Sequence, residues 1–166
     1  SISKSVVSKD EIAEAYLHIS KQTLTSLKKA IINVKRFSRK QILRSWSMKI
    51  NGSTLGEKVT AIEKVGIYVP GGKASYPSTV LMNAIPARTA GVKNVTMVCP
   101  PINEKLDPLV LIAADLCGVD KIYKIGGAHA IAALAYGTET IEKVHKIVGP
   151  GNIYVATAKR KVFGTV

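Results

Sequence analysis

Apolar residues in the first part of the chain recur in steps of three and four. Ile12, Tyr16 and Ile19 are followed by Leu24, Leu27, Ile31, Val34 and Phe37, a spacing that lines one face of a helix. The opposite face is rich in lysine. Just before this stretch, Ser8-Lys9-Asp10-Glu11 reads as a capping box, in which the serine satisfies an exposed amide and the glutamate reaches back. The pattern predicts two joined amphipathic helices that support the fold rather than carry chemistry. At Ser45 the period changes to two. Trp46, Met48 and Ile50 alternate with Ser47 and Lys49, Asn51-Gly52 supplies a turn, and Thr54 to Ile62 can return as the second strand of a hairpin.

Beyond residue 64 short apolar runs alternate with helical patterns. The runs are Val65 to Val69, Asn94 to Cys99, Lys121 to Ile125 and Val144 to Val148. The helical stretches are Thr79 to Ala90, Asp107 to Leu116, Ala128 to Tyr136 and Ile153 to Val162. Strands alternating with helices call for a parallel sheet joined by crossover connections. The fold class expected is therefore α/β, a Rossmann-like parallel sheet with helices on both faces, preceded by a helical segment and a β-hairpin. Two regions follow: 1–64 holds the helices and hairpin, and 65–166 holds the Rossmann-like unit.

Composition narrows the function classes. With 166 residues and 46% hydrophobic content, the chain can bury an ordinary core. Its mean hydropathy of +0.16 suits a folded soluble protein, and no apolar run approaches the ~20 residues that span a bilayer. Ser1-Ile2-Ser3-Lys4-Ser5 has no signal-peptide character, and the lack of an initiator Met suggests processing or a start inside a longer gene. Cys99 and Cys117 sit in apolar stretches, read as buried thiols, and fit a reducing cytoplasm. The net charge of +13 raises the question of nucleic acid. Yet the basic residues are scattered in pairs, with Lys159-Arg160-Lys161 the single run of three, and aromatic residues make up 5%. No ring-and-arginine platform of the single-strand binders is present, so the charge reads as a solvated lysine-rich surface.

Gly-rich turns close three strands: Pro70-Gly71-Gly72, Gly126-Gly127 and Gly149-Pro150-Gly151-Asn152. Ligands of open α/β sheets bind beyond the carboxyl ends of the strands, and helix N-termini there suit phosphate. Glycine also serves any tight strand-to-helix turn, so both readings stay open. The Gly-x-Gly-x-x-Gly fingerprint is missing, and Pro100-Pro101 stands where an acid for a ribose hydroxyl belongs; Glu104 is an unconvincing substitute. His18, His129 and His145 fall in no metal-ligand spacing. Of the three, His129 opens a helix directly after Gly126-Gly127-Ala128 and faces the expected crevice, whereas His18 and His145 read as surface residues.

The longer motifs resemble those of the histidinol dehydrogenase family. They are Val65-Gly66-Ile67-Tyr68-Val69-Pro70-Gly71-Gly72, Tyr76-Pro77-Ser78-Thr79-Val80-Leu81-Met82, and Ile85-Pro86-Ala87-Arg88. Gly126-Gly127-Ala128-His129-Ala130 through Gly137-Thr138, then Lys146-Ile147-Val148-Gly149-Pro150-Gly151-Asn152 and Ala158-Lys159-Arg160, continue in the family's order and spacing. The resemblance implies an aldehyde-dehydrogenase-like fold and a domain-swapped homodimer. It also implies an NAD- and zinc-dependent alcohol dehydrogenase that oxidises L-histidinol through the aldehyde to L-histidine in histidine biosynthesis. The 65–166 unit becomes an incomplete NAD-side domain, with NAD contacts at Tyr68, His129 and Asn152. The family's usual residue at the second position is Gln, and an imidazole offers one hydrogen bond where an amide offers two; this bears on cofactor affinity rather than on the fold. Ser38 stands where the family has His.

By the same resemblance, the family's zinc ligands, its Gly-Pro-Ser-Glu segment and its Glu-His acid/base pair follow the position of Val166. No catalytic or metal-binding residue is therefore expected within this chain, and one sheet edge is expected to lack a partner strand. The alternative is a truncated, non-catalytic relative that binds a nucleotide or another anion. The charge reading is tested by titrating duplex DNA at low salt. A solvated lysine surface leaves the DNA free, whereas binding that falls steeply with added salt would assign a nucleic-acid role.

Overall fold

The computed structural model describes residues 5–71 and 75–166; Gly72 of the first Gly-rich turn lies outside them. Helix α1 (Lys9–Leu17) starts at Ser8 as expected: the Glu11 amide donates to Ser8 Oγ at 3.1 Å and the Ser8 amide to Glu11 Oε2 at 2.9 Å. Helix α2 (Lys21–Lys40) starts at Ser20, whose Oγ accepts from the Thr23 amide at 3.0 Å. Its inward row is Leu24, Leu27, Ile31, Val34 and Ser38. Phe37, expected in that row, is 67% exposed, while Ser38 is 5% exposed. After Val34 the buried face continues by a step of four, not three, so the row passes to the serine.

Strands β1 (Trp46–Ile50) and β2 (Ser53–Glu57) pair antiparallel, from Trp46 opposite Glu57 to Ile50 opposite Ser53. Asn51 and Gly52 both take positive φ, +49° and +79°, the backbone of a two-residue turn that matches strand twist. The return strand ends at Glu57 rather than Ile62. Residues 58–62 leave the hairpin, with the Val59 amide donating to Ser45 Oγ at 2.9 Å.

The main sheet contains β3 (Lys64–Tyr68), β4 (Asn94–Val98), β5 (Lys121–Tyr123) and β6 (Lys146–Val148), all parallel, in the order β5-β4-β3-β6. Helices α3 (Pro77–Thr89), α4 (Pro108–Leu116) and α5 (Gly127–Tyr136) connect them, and α6 (Ile153–Lys161) follows β6. The sheet grows outward from β3 to β5, and then α5 carries the chain back to β3's other side. Ser5 to Val7 lie along the free edge of β5: the Val7 amide donates to the Ile122 carbonyl at 2.9 Å and the Lys124 amide to that of Ser5 at 2.6 Å. Among the described residues no strand covers the outer edge of β6.

Side chains of β3 alternate between two cores, as strand geometry requires. Val65, Ile67 and Val69 join the core shared with α1 to α4; Tyr68 joins the core beneath α5 and α6. Gly66 faces this second core without a side chain. A Cβ there would come within 2.9 Å of Leu134 and 3.2 Å of Val144, so the glycine lets α5 approach the sheet. At the amino edge, Arg88 donates to the carbonyls of Val92, Lys93 and Gly118 and pairs with Asp120 at 2.6 Å. Asp120 also accepts from the Val95 amide at 2.6 Å. This cluster ties the C-terminus of α3 to the starts of β4 and β5. Among the described residues no helix is long and apolar enough to cross a membrane.

Helix α1 docks on α4 through Tyr16, whose hydroxyl donates to Asp115 Oδ2 at 2.6 Å. Burial, and then the Asp115 carboxylate, push the Tyr16 hydroxyl up to about 12 from 10.0. The folded state thus favours the neutral phenol, and its contribution is complete below pH 10 and lost as pH rises to about 12. Denaturation of wild type and Tyr16→Phe across that range checks this: the stability gap between them should narrow with pH, and a constant gap would remove the link.

Candidate functional site

The strand order places a switch point between β3 and β6. From β3 the chain crosses to α3 on one face of the sheet; from β6 it enters α6 on the other face. Connections that leave neighbouring strands in opposite directions open a crevice at their carboxyl ends. The ladder runs one residue past the strands, with the Val69 amide donating to Val98 at 2.9 Å and the Cys99 amide to Tyr123 at 3.0 Å. The crevice therefore has a rigid floor.

Tyr68 is 3% exposed, and its hydroxyl accepts from the Gly127 amide at 3.1 Å. Gly126, the N-cap of α5, has no side chain to satisfy that helix start. The tyrosine from β3 does so instead and holds the start of α5 over the end of β3. Nothing in the spacing of the sequence signals this role. His129 is exposed in the first turn of α5, and among the described residues its side chain makes no hydrogen bond or ion pair. The first-turn amides of Ala128 and His129 have no carbonyl partner within the helix.

Asn152 is the N-cap of α6, with Oδ1 accepting from the Val155 amide at 3.1 Å. The residue is exposed, and among the described residues its NH2 group has no hydrogen-bond partner. The turn before it is close-packed. Gly149 has φ +100°, and a Cβ there would collide with the Tyr68 carbonyl, so only glycine lets β6 pass the end of β3 in this way. Tyr68, the start of α5 and Asn152 are thus linked through the end of β3. The other two histidines lie elsewhere. His18 is exposed on α1, 3.8 Å from Glu14, and His145 sits at the amino edge, where Nδ1 accepts from the Lys64 amide at 3.2 Å.

A cavity of about 260 Å³ adjoins the ends of β3 and β4, lined by Pro70, Gly71, Ser75, Cys99, Lys105 and Asp107 among others. At that volume it is smaller than the usual ligand pocket of about 300–1,000 Å³, and Tyr68, His129 and Asn152 are not among its lining residues. Asp107 caps α4 through Oδ1, which accepts from the Leu109 amide at 2.8 Å. Burial, with Asp107 adding to it, pushes the Cys99 thiol up to about 12, and burial does the same for Cys117. Neither thiol is a nucleophile near neutral pH. Among the described residues no three His, Cys, Asp or Glu side chains come together in a way that could hold a metal ion.

The model of a family described as histidinol dehydrogenase matches residues 1–166. A histidinol dehydrogenase of Nitrosomonas europaea is 54% identical over 159 residues, covering 95% of this chain and 37% of that protein. One from Bacillus subtilis is 53% identical over 167 residues, covering 99% of this chain and 39% of its own length. The crystal structure of histidinol dehydrogenase from Elizabethkingia anophelis superposes with a TM-score of 0.93 at 40% identity, covering 97% of this chain and 38% of that one. The chain thus spans well under half the length of these relatives.

The role of Tyr68 as a cap is open to measurement. Tyr68→Phe keeps the ring and leaves the Gly127 amide without its acceptor, so stability should fall by on the order of 1 kcal/mol. An unchanged denaturation midpoint would show that the start of α5 does not depend on the hydroxyl.

Proposed function

We propose that this chain, which belongs to the histidinol dehydrogenase family, supplies the NAD-binding side of an enzyme that oxidises L-histidinol to L-histidine. One observation carries the proposal: at the end of β3 the Tyr68 hydroxyl accepts from the Gly127 amide of α5, and the Tyr68 carbonyl lies close against Gly149, which leads into the Asn152 cap of α6. The donors there suit a dinucleotide. The first-turn amides of Ala128 and His129, at the positive end of α5, favour pyrophosphate oxygens. The Asn152 NH2 and the His129 imidazole offer directional hydrogen bonds. Tyr68 fixes α5 against β3 and so keeps these groups in register. Bound NAD would accept hydride from the substrate.

Zinc does not fit the described residues, because no suitable ligand group is present among them. The zinc ligands and the acid/base groups of the reaction are assigned to sequence that the longer relatives carry outside the matched span. Binding of L-histidinol, assembly as a homodimer and a cytoplasmic setting are proposed on the strength of the family. Residues 1–64 would serve as support and 65–166 as the NAD-side domain.

Two measurements test the proposal. The purified chain with added zinc should form no NADH from histidinol, and NADH formation would show that the reacting groups lie within these residues. It should bind NAD weakly, and Asn152→Ser should lower that affinity severalfold. The serine keeps a cap oxygen for Val155 while losing the NH2 donor, so equal calorimetric affinity would place the cofactor elsewhere.

A further inference from the structure

The turn between β6 and α6 is held by a lysine that the cofactor reading does not use. Lys159 follows Asn152 by seven residues, two helical turns, so the two share a face of α6. Long helical side chains lean toward the helix N-terminus, and Lys159 runs back along α6 to donate from Nζ to the Gly149 carbonyl at 2.5 Å. The group is half-buried, and burial holds its pKa below the ordinary lysine range. Among the described residues no carboxylate pairs with it. Withdrawing a cation from water without a counter-ion is costly, so its single partner, a backbone carbonyl at the joint of β6 and α6, takes on weight.

We infer that Lys159 is a positioning residue for the cofactor loop, its charged hydrogen bond to Gly149 fixing the backbone to Asn152 and thereby the direction of the Asn152 NH2. The inference rests on the cofactor reading above. Gly149 is a joint with two constraints on it. On one side the Tyr68 carbonyl leaves no room for a Cβ, and on the other its own carbonyl is held by the lysine. A bond with an ionised donor is about twice as strong as a neutral one, which suits a loop of glycine and proline with no side chain to anchor it. The Asn152 Oδ1 is already committed to Val155, so the orientation of the remaining NH2 follows the backbone that Lys159 holds.

The test compares wild type with Lys159→Met, Lys159→Gln and Lys159→Arg by calorimetric titration of NAD and by the NMR signals of asparagine side chains. Met and Gln should each weaken NAD binding about tenfold, equivalent to about 1.4 kcal/mol, and Arg should restore most of it. The Asn152 carboxamide signals should shift in the Met and Gln variants. Those of Asn83 in α3, which donates to the Thr79 carbonyl at 2.7 Å, should stay in place. Full affinity in a folded Met or Gln variant overturns the role of Lys159 alone. Loss of affinity that Arg does not rescue, or shifts at Asn83 as large as at Asn152, overturns the positioning account in favour of general damage. Failure of wild type to bind NAD overturns the cofactor reading itself and this inference with it. If Met prevents folding, Gln decides the matter, because it retains a donor, on a chain one atom shorter, but no charge.

Discussion

Strand β3 is enclosed on four sides, and the remainder of the molecule is arranged to meet that condition. Two strands take its backbone groups, β4 from Lys64 to Tyr68 and β6 from Val65 to Ile67. Two helical layers take its side chains. A strand with both edges paired and both faces buried has no tolerance for polar side chains, which explains the run Val65-Gly66-Ile67-Tyr68-Val69. In the run from Val65 to Val69 the one polar side-chain atom, the Tyr68 hydroxyl, sits at the end where the enclosure opens. There it is matched to the Gly127 amide. The candidate site is built where this doubly paired, doubly covered strand stops being covered.

The two edges of the sheet are treated differently. At the amino edge, ion pairs span separate elements. Glu142 meets Lys64 and Lys121, each at 3.0 Å, and Arg88 with Asp120 bonds four backbone groups besides. Exposed pairs of this kind contribute little singly, but here they join the starts of β3, β4 and β5. The carboxyl edge has one such pair among the described residues, Lys124 with Glu11 at 2.8 Å, which ties the end of β5 to α1. Elsewhere it is held by backbone ladders, a phenol, a capping carboxamide and one lysine, and among the described residues the Asn152 NH2 has no partner.

Much of this was legible in the residues because the patterns are local. The capping box, the hairpin turn at Asn51-Gly52 and the alternation of short apolar runs with helical stretches each follow from spacing. Phe37 misled because steps of three and four are equally helical, and only the packing partner decides which one continues a buried row. Strand order was not legible, since runs such as Lys121–Tyr123 and Lys146–Val148 hold no information on which neighbour they choose. At the site, Tyr68 and Asn152 were marked by resemblance to the family. Their structural duties, capping α5 from a different strand and capping α6, were not, because the first joins residues 59 apart. The Lys159 contact spans ten residues and depends on how the Gly-Pro-Gly turn folds, so the run of three basic residues looked like surface charge.

The hydroxyl of Tyr68 has a consequence for how ligands are received. In the unliganded fold it already plays the part of an incoming oxygen at the first amide of α5. An anion arriving at that amide must therefore displace an acceptor, and the count of hydrogen bonds is the same before and after. Recognition at this position is a substitution rather than an addition, and its enthalpy should be small. Net gain has to come from the next amides along the helix and from Asn152, so affinity is decided by how many of these a ligand reaches together. A small oxyanion that meets one donor at a time gains little here, and a long, multiply charged ligand gains most.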